Sequence, residues 1–271
     1  MREHGSRRRR WWWLAAGAGV VVVAGVVAAV AVGNDSTELT VSEAVDDYEA
    51  DDLRGGTGGG GRDGGAAALP APGVYVYATT GRAEVDALTG AAHDYPDRTT
   101  ITVSRQGCGA NLRWVGVEER WEERVVCPSD GALVLDRIRA YRQFFQQGDE
   151  RVYTCDGLVE VPAAPVTTLR GSCASEGTGK SGATTIRFRG TVRDHEPVTV
   201  AGERHDAVHV RITGRFTGTT EGVQTTERWL LPSGLVAREE RTQRTVSDSV
   251  VGRVTFEERY AIRLVSTEPH R

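Results

Sequence analysis

The chain has 271 residues, 26% of them charged, and a formal net charge of −4. That length suffices for a domain with a substantial core. The near-neutral balance lacks the basic surplus of a nucleic-acid-binding chain, so no nucleic-acid partner is expected. Charge is unevenly spread: residues 1–10 carry +4, residues 34–54 carry −7, and residues 73–271 come to −1. Lys180 is the only lysine among 33 basic residues, an arginine bias that accompanies GC-rich coding.

Residues 1–10 form a basic tail. Trp11 to Val32 then runs for twenty-two residues without a charge. As a helix this stretch is about 33 Å long, enough for the roughly 30 Å hydrocarbon core of a bilayer. It is read as a single-pass transmembrane helix. Two alternatives are weaker: a signal peptide cleaved at Ala29-Val30-Ala31, and a twin-arginine signal at Arg7 to Arg10. Arginines before the span and acids after it keep the N-terminus cytoplasmic and place residues 73–271 outside the cell membrane.

Residues 33–72 read as a linker, acidic at first and then glycine-rich. Within it, Thr40 and Glu43 have the spacing of a capping box. Val41, Val45 and Tyr48 follow at helical spacing, so a short helix near 41–50 is expected, more as part of a stalk than as a docking element. Residues 55–65 are a flexible tether by composition.

From Gly73 onward the pattern is β. Strands are expected at 73–79 and 98–104, with two more between 112 and 126. The run 132–145 fits a helix or a strand, and strand is preferred, with Leu133, Leu135, Tyr141 and Phe145 on one face. Further strands are expected at 151–161, 184–194, 198–201, 205–216, 225–231, 235–246 and 250–265. Val208, Val210, Ile212 and Phe216 alternate strictly. Val254, Phe256, Tyr260, Ile262 and Leu264 share a face interrupted only by Glu258. These two faces are expected to meet in one core, with Trp229 at or near it and His209 on the wet side. The fold class is mainly β, an antiparallel meander that curls to cover its apolar face.

The stretch 198–241 carries Val200-Ala201-Gly202, Ala207 to Val210, Trp229, Pro232, Gly234, Leu235 and Arg238. It resembles uncharacterised membrane-anchored actinobacterial proteins and, more loosely, periplasmic proteins of unknown function. The resemblance implies a curved antiparallel half-barrel of the lipoprotein-carrier (LolA-like) kind. It implies no catalytic residues.

Cys108, Cys127, Cys155 and Cys173 lie outside the membrane in this topology, where an even count predicts two disulfides. Sequential pairing, 108–127 and 155–173, is preferred among the three connectivities. Spacings of 18 or more argue against zinc. Gly177-Thr178-Gly179-Lys180-Ser181 resembles the end of a P-loop, but Ala174 replaces the first glycine. His205 and His209 on a strand are about 13 Å apart, too far to share a metal. Ser172 lacks the G-x-S-x-G setting of a hydrolase nucleophile. Glu-Glu-Arg occurs at 118–120, 122–124, 239–241 and 257–259, and reads as a charged ladder on the wet face.

No catalytic, cofactor-binding or metal site emerges. The expected function is a membrane-anchored binding domain for a lipid, a lipoprotein or an envelope protein. The alternatives are an envelope hydrolase using acids such as Glu118, Glu122 or Glu258, and a structural scaffold.

Overall fold

The computed structural model describes residues 36–55, 68–87, 91–145, 147–162, 167–176, 182–249 and 252–271. The expected membrane span at 11–32, most of the glycine-rich tether and the loop at 177–181 lie outside the described residues. Among those described, no helix is long and apolar enough to cross a membrane.

The period-two pattern becomes fourteen antiparallel strands: β1 (Gly73–Val85), β2 (Ala91–Asp94), β3 (Arg98–Gln106), β4 (Gly109–Val117), β5 (Arg120–Ser129), β6 (Ala132–Phe144) and β7 (Gln147–Asp156), then β8 (Val159–Val161), β9 (Thr168–Ser175), β10 (Thr184–Val200), β11 (Glu203–Gly218), β12 (Thr220–Leu230), β13 (Val236–Ser249) and β14 (Gly252–Leu264). Each strand pairs with the next along the meander, with two exceptions. β2 continues the line of β3 beside β1, and β8 continues that of β7 beside β6. Pro96, which has no N–H for a ladder, stands in the break between β2 and β3.

The expected half-barrel is corrected: the sheet closes. β14 pairs with β1 from Tyr77↔Leu264 to Val85↔Phe256, so twelve strands form a ring. Closure removes the two free edges that a half-barrel would expose. The seam depends on Gly81, opposite Tyr260. A Cβ there would stand 2.5 Å from the Tyr260 Cβ, so a side chain would force the two strands apart.

Two disulfides join the strands as expected. Cys108, in the β3–β4 turn, is bonded to Cys127 on β5, and Cys155 on β7 to Cys173, directly opposite on β9.

The two apolar faces meet as expected. Val210, Ile212 and Phe216 share one buried cluster with Phe256, Tyr260 and Ile262 inside the barrel. The run 132–145 is a strand, but its faces switch. Asp136 is an extra residue opposite Val125 and Val126. A bulge of one residue turns every later side chain to the other face. Leu133 and Leu135 therefore point inward before it, and Ile138, Ala140 and Arg142 after it. Tyr141 lies outside, stacked on Trp121 at 5.5 Å.

Thr40 and Glu43 form the capping box. The Glu43 carboxylate accepts from the Thr40 N–H at 2.8 Å, and the Thr40 hydroxyl from the Glu43 N–H at 3.3 Å. The helix they start, α1 (Val41–Gly55), belongs to the folded unit. It packs on the outside of β1 and β3, where Ala44, Val76 and Thr100 are buried. The Glu118 N–H donates to the Thr37 carbonyl and ties the approach to α1 to the β4–β5 turn.

Candidate functional site

Twelve strands enclose a wider lumen than the eight that side chains fill easily. Here long arginines and glutamates reach in from facing walls and close most of it. The chain of contacts starts at Tyr95, which donates to Glu258 at 2.6 Å. Arg120 holds both oxygens of Glu258, at 2.7 and 3.1 Å, and lies 3.6 Å from Glu122. Arg241 holds Glu122 with two bonds, at 2.7 and 3.1 Å, and reaches Glu239 at 3.2 Å. Arg228 bridges Glu239 and Glu160, and Arg124 lies 3.6 Å from Glu239 and 3.8 Å from Glu160. Four arginines and four glutamates thus alternate in one connected network. Tyr260 donates to Glu239 and stacks on Trp114 at 4.6 Å, packing one side of it.

The wet-ladder reading of the Glu-Glu-Arg triplets is corrected by this network. Residues two apart do share a face, but for Glu122 and Arg124, and for Glu239 and Arg241, that face is the interior. Glu258 and Arg120 are buried as well. Glu240, Glu257 and Arg259 face out. The signal was in the sequence: Glu258 interrupts an otherwise apolar face, and a carboxylate there needs a buried cation.

Burial alone would raise these carboxyls. For Glu258 it is outweighed by Arg120, which lowers that carboxyl, and for Glu122 by Arg241, which holds it well below the ordinary carboxylate range. Burial also pushes Glu239 up, but Arg228, Arg241 and Arg124 together bring it to about 2. A carboxylate held ionised in this way has no proton to give as a general acid. Glu118, the third acid of the hydrolase reading, is exposed at the β4–β5 turn, outside the network. All four cysteines are in disulfides.

At the mouth of the lumen stands a fifth interior arginine. Arg142 is half-buried and lies over the Phe256 ring at 4.2 Å. It makes no ion pair or hydrogen bond among the described residues. Burial, then the charge of Arg120, lowers its pKa. A cavity of about 40 Å³ remains, lined by Arg142, Arg241, Gln243 and Thr226 on its polar side and by Ile186, Phe188 and Phe216 on its apolar side.

The outer wall differs. In β10 the sequence Ile186-Arg187-Phe188-Arg189 alternates, so both phenyl and isoleucine side chains point in and both guanidinium groups point out. Arg187 lies directly opposite Arg215 of β11, and Arg189 opposite Arg170 of β9. All four are exposed, and none has an ion pair or hydrogen bond among the described residues. Threonines and serines surround them: Thr168, Ser172, Thr185, Thr191, Thr213 and Thr217. No acid shares this face of β9 or of the facing parts of β10 and β11. Like charges directly opposite in a sheet are destabilising. The overall charge balance hid this patch, because the acids of α1 offset it in the sum.

His209 occupies the outer face of β11, as expected, but it is not wet. It is buried, because β10 bulges between Val192 and His195 and brings Glu196 over it. Its Nδ1 lies 2.8 Å from Glu196 and its Nε2 2.8 Å from Glu227. Trp229 is buried too, but it points outward from the barrel, stacked on His209 at 4.3 Å and donating to Glu196 at 2.8 Å. Arg238 covers its other face at 4.4 Å. His205 lies apart, 4.0 Å from Glu203. No group of three or more His, Cys, Asp or Glu among the described residues is arranged to hold a metal ion.

The chain matches no protein-family model, no curated protein and no solved structure.

Proposed function

We propose that the chain is a membrane-anchored, extracytoplasmic binding domain without chemistry of its own, whose arginine wall on β9–β11 takes an acidic envelope protein. The observation that carries this reading is the set of unpaired arginines at Arg170, Arg187, Arg189 and Arg215, placed opposite one another at a cost in stability. The closed sheet fixes their backbone positions, so binding has to order only the side chains. The disulfides agree with an oxidising compartment.

A lipid held inside the barrel is not favoured. Ligand pockets run to about 300–1,000 Å³, and the interior leaves about 40 Å³. A lipid surface is a poorer fit than a protein. β10 stands across the ring from β3, where α1 sits and from which the chain leads back towards residues 11–32. The wall therefore faces away from the side on which the anchor attaches.

Poly-L-glutamate serves as a probe of acidic protein surface, with phosphatidylglycerol vesicles as the competing arm. The detergent-solubilised full chain should bind poly-L-glutamate at low salt and release it at high salt. The double variant Arg187→Thr, Arg189→Thr should lose most of that binding. Binding that survives the double variant, or binding to the vesicles alone, overturns the proposal.

A further inference from the structure

We infer that the barrel interior holds one small monovalent anion, of the halide class, between Arg142, Arg241 and Gln243. This is independent of the outer wall and of any partner bound there.

The first argument is charge. In the connected interior network, arginines and glutamates balance. At the mouth they do not. Arg142 faces Asp149 across the β6–β7 register, but Asp149 is engaged by Arg151 at 2.9 Å. Two guanidinium groups thus share one carboxylate, and the described interior is left with one positive charge too many. Even a partly buried charge is costly when it lacks compensation.

The second argument is hydrogen bonding. Arg241 Nε, Gln243 Nε2 and Thr226 Oγ1 are buried and have no hydrogen-bond partner among the described residues. Their residues are only 3%, 7% and 2% exposed. All three line the cavity that Arg142 also lines. Both nitrogens can only donate, and the hydroxyl is free to do so. A ring of donors beside an excess positive charge calls for an acceptor that is itself negative. Water would accept the bonds but leave the charge.

The third argument is size and surface. A water needs about 10–15 Å³ of such space, so 40 Å³ admits a halide with one or two waters and nothing of lipid size. The opposite wall is apolar, at Ile186, Phe188 and Phe216, and Glu122 and Glu160, each held by arginines of the network, also line the cavity. Both features disfavour a multiply charged, strongly hydrated anion. Guanidinium groups are themselves weakly hydrated and suit a weakly hydrated partner.

The test compares thermal unfolding of the full chain in sodium chloride and in sodium gluconate at equal ionic strength. Gluconate is too large to enter. Chloride should raise the midpoint saturably, by about 2–4 °C. Arg142→Met, which keeps the bulk and removes the charge, should abolish the rise. Equal midpoints in the two salts, or a rise that persists in the variant, overturn the inference. Should the variant not fold, crystals of the unaltered chain soaked in bromide decide: an anomalous peak in this cavity supports the site, and a cavity without one overturns it.

Discussion

Arg228 and Arg241 inside the barrel, and Arg187 and Arg189 outside it, lie on strands of one sheet and differ in what surrounds them. Arg228 and Arg241 are each held by two carboxylates. Each exterior guanidinium faces another arginine. Burial explains the first arrangement, since an unpaired charge in the lumen would cost several kcal/mol. Nothing in the folded chain explains the second. Water screens the outer pairs well enough for them to survive, but they add no stability. Matched charge thus marks what the fold requires, and unmatched charge marks what is available to a partner.

The largest effect should come from breaking the inner match. Glu239→Gln keeps the shape of the side chain and leaves Arg228, Arg241 and Arg124 beside a neutral group. The expected loss is about 3–5 kcal/mol in denaturant unfolding. The pH dependence gives the same information from the other side. Glu239 sits at about 2 when folded, against 4.5 as its ordinary value. Its contribution is therefore complete above about pH 4.5 and drains away as the pH falls towards 2. Glu122 and Glu258, also held low, lose theirs in the same direction. The variant should start lower and lose less on acidification than the unaltered chain. An acid limb of unchanged slope would mean that Glu239 is not held ionised by its arginines.

An intermediate effect is expected at His209, which belongs to neither class. It lies outside the barrel yet is enclosed by Glu196, Glu227 and Trp229. His209→Asp removes the stack and both hydrogen bonds and places a third carboxylate between two others. The expected cost is about 1–3 kcal/mol. Thermal unfolding beside Thr213→Asp, on the same outer face, checks it. Equal midpoints would mean that the stack is an ornament of an exposed surface.

What the sequence made legible follows the same division. Most strands could be read, because Val208 to Phe216 and Val254 to Leu264 alternate without a break in period. The disulfide pairs were legible because short loops close easily: the bonded cysteines are 19 and 18 positions apart. β9 was missed because its sequence, Thr168 to Ser175, offers only Leu169 and Cys173 as apolar inward residues. β2 is four residues long and has almost no pattern. The reversal at Asp136 was invisible, since a bulge depends on the partner strand. Closure was equally hidden: it is a relation between β1 and β14, at opposite ends of the domain. Glu258 was visible as an anomaly, but its partner Arg120 lies 138 positions away. The arginine wall shows in the alternation of Arg187 and Arg189, yet only the register with Arg170 and Arg215 makes it a cluster.

The smallest effect should have the opposite sign. Arg187→Thr removes one member of a directly opposed like-charged pair and supplies a residue that suits a pleated, half-exposed surface. Stability should rise by about 0.2–1 kcal/mol, and by more at low salt, because screening is then weaker. Arg211→Thr is the control on the same face. Arg211 lies 3.4 Å from Glu227, so its loss removes an attraction and should leave stability unchanged or slightly lower. Urea unfolding of both variants at two salt concentrations separates the cases. If Arg187→Thr is destabilising, its side chain is packing on the sheet rather than waiting for a partner. If it is stabilising and also weakens binding to poly-L-glutamate, the wall has been kept at the expense of the fold, which is the pattern expected where activity and stability compete for one set of residues.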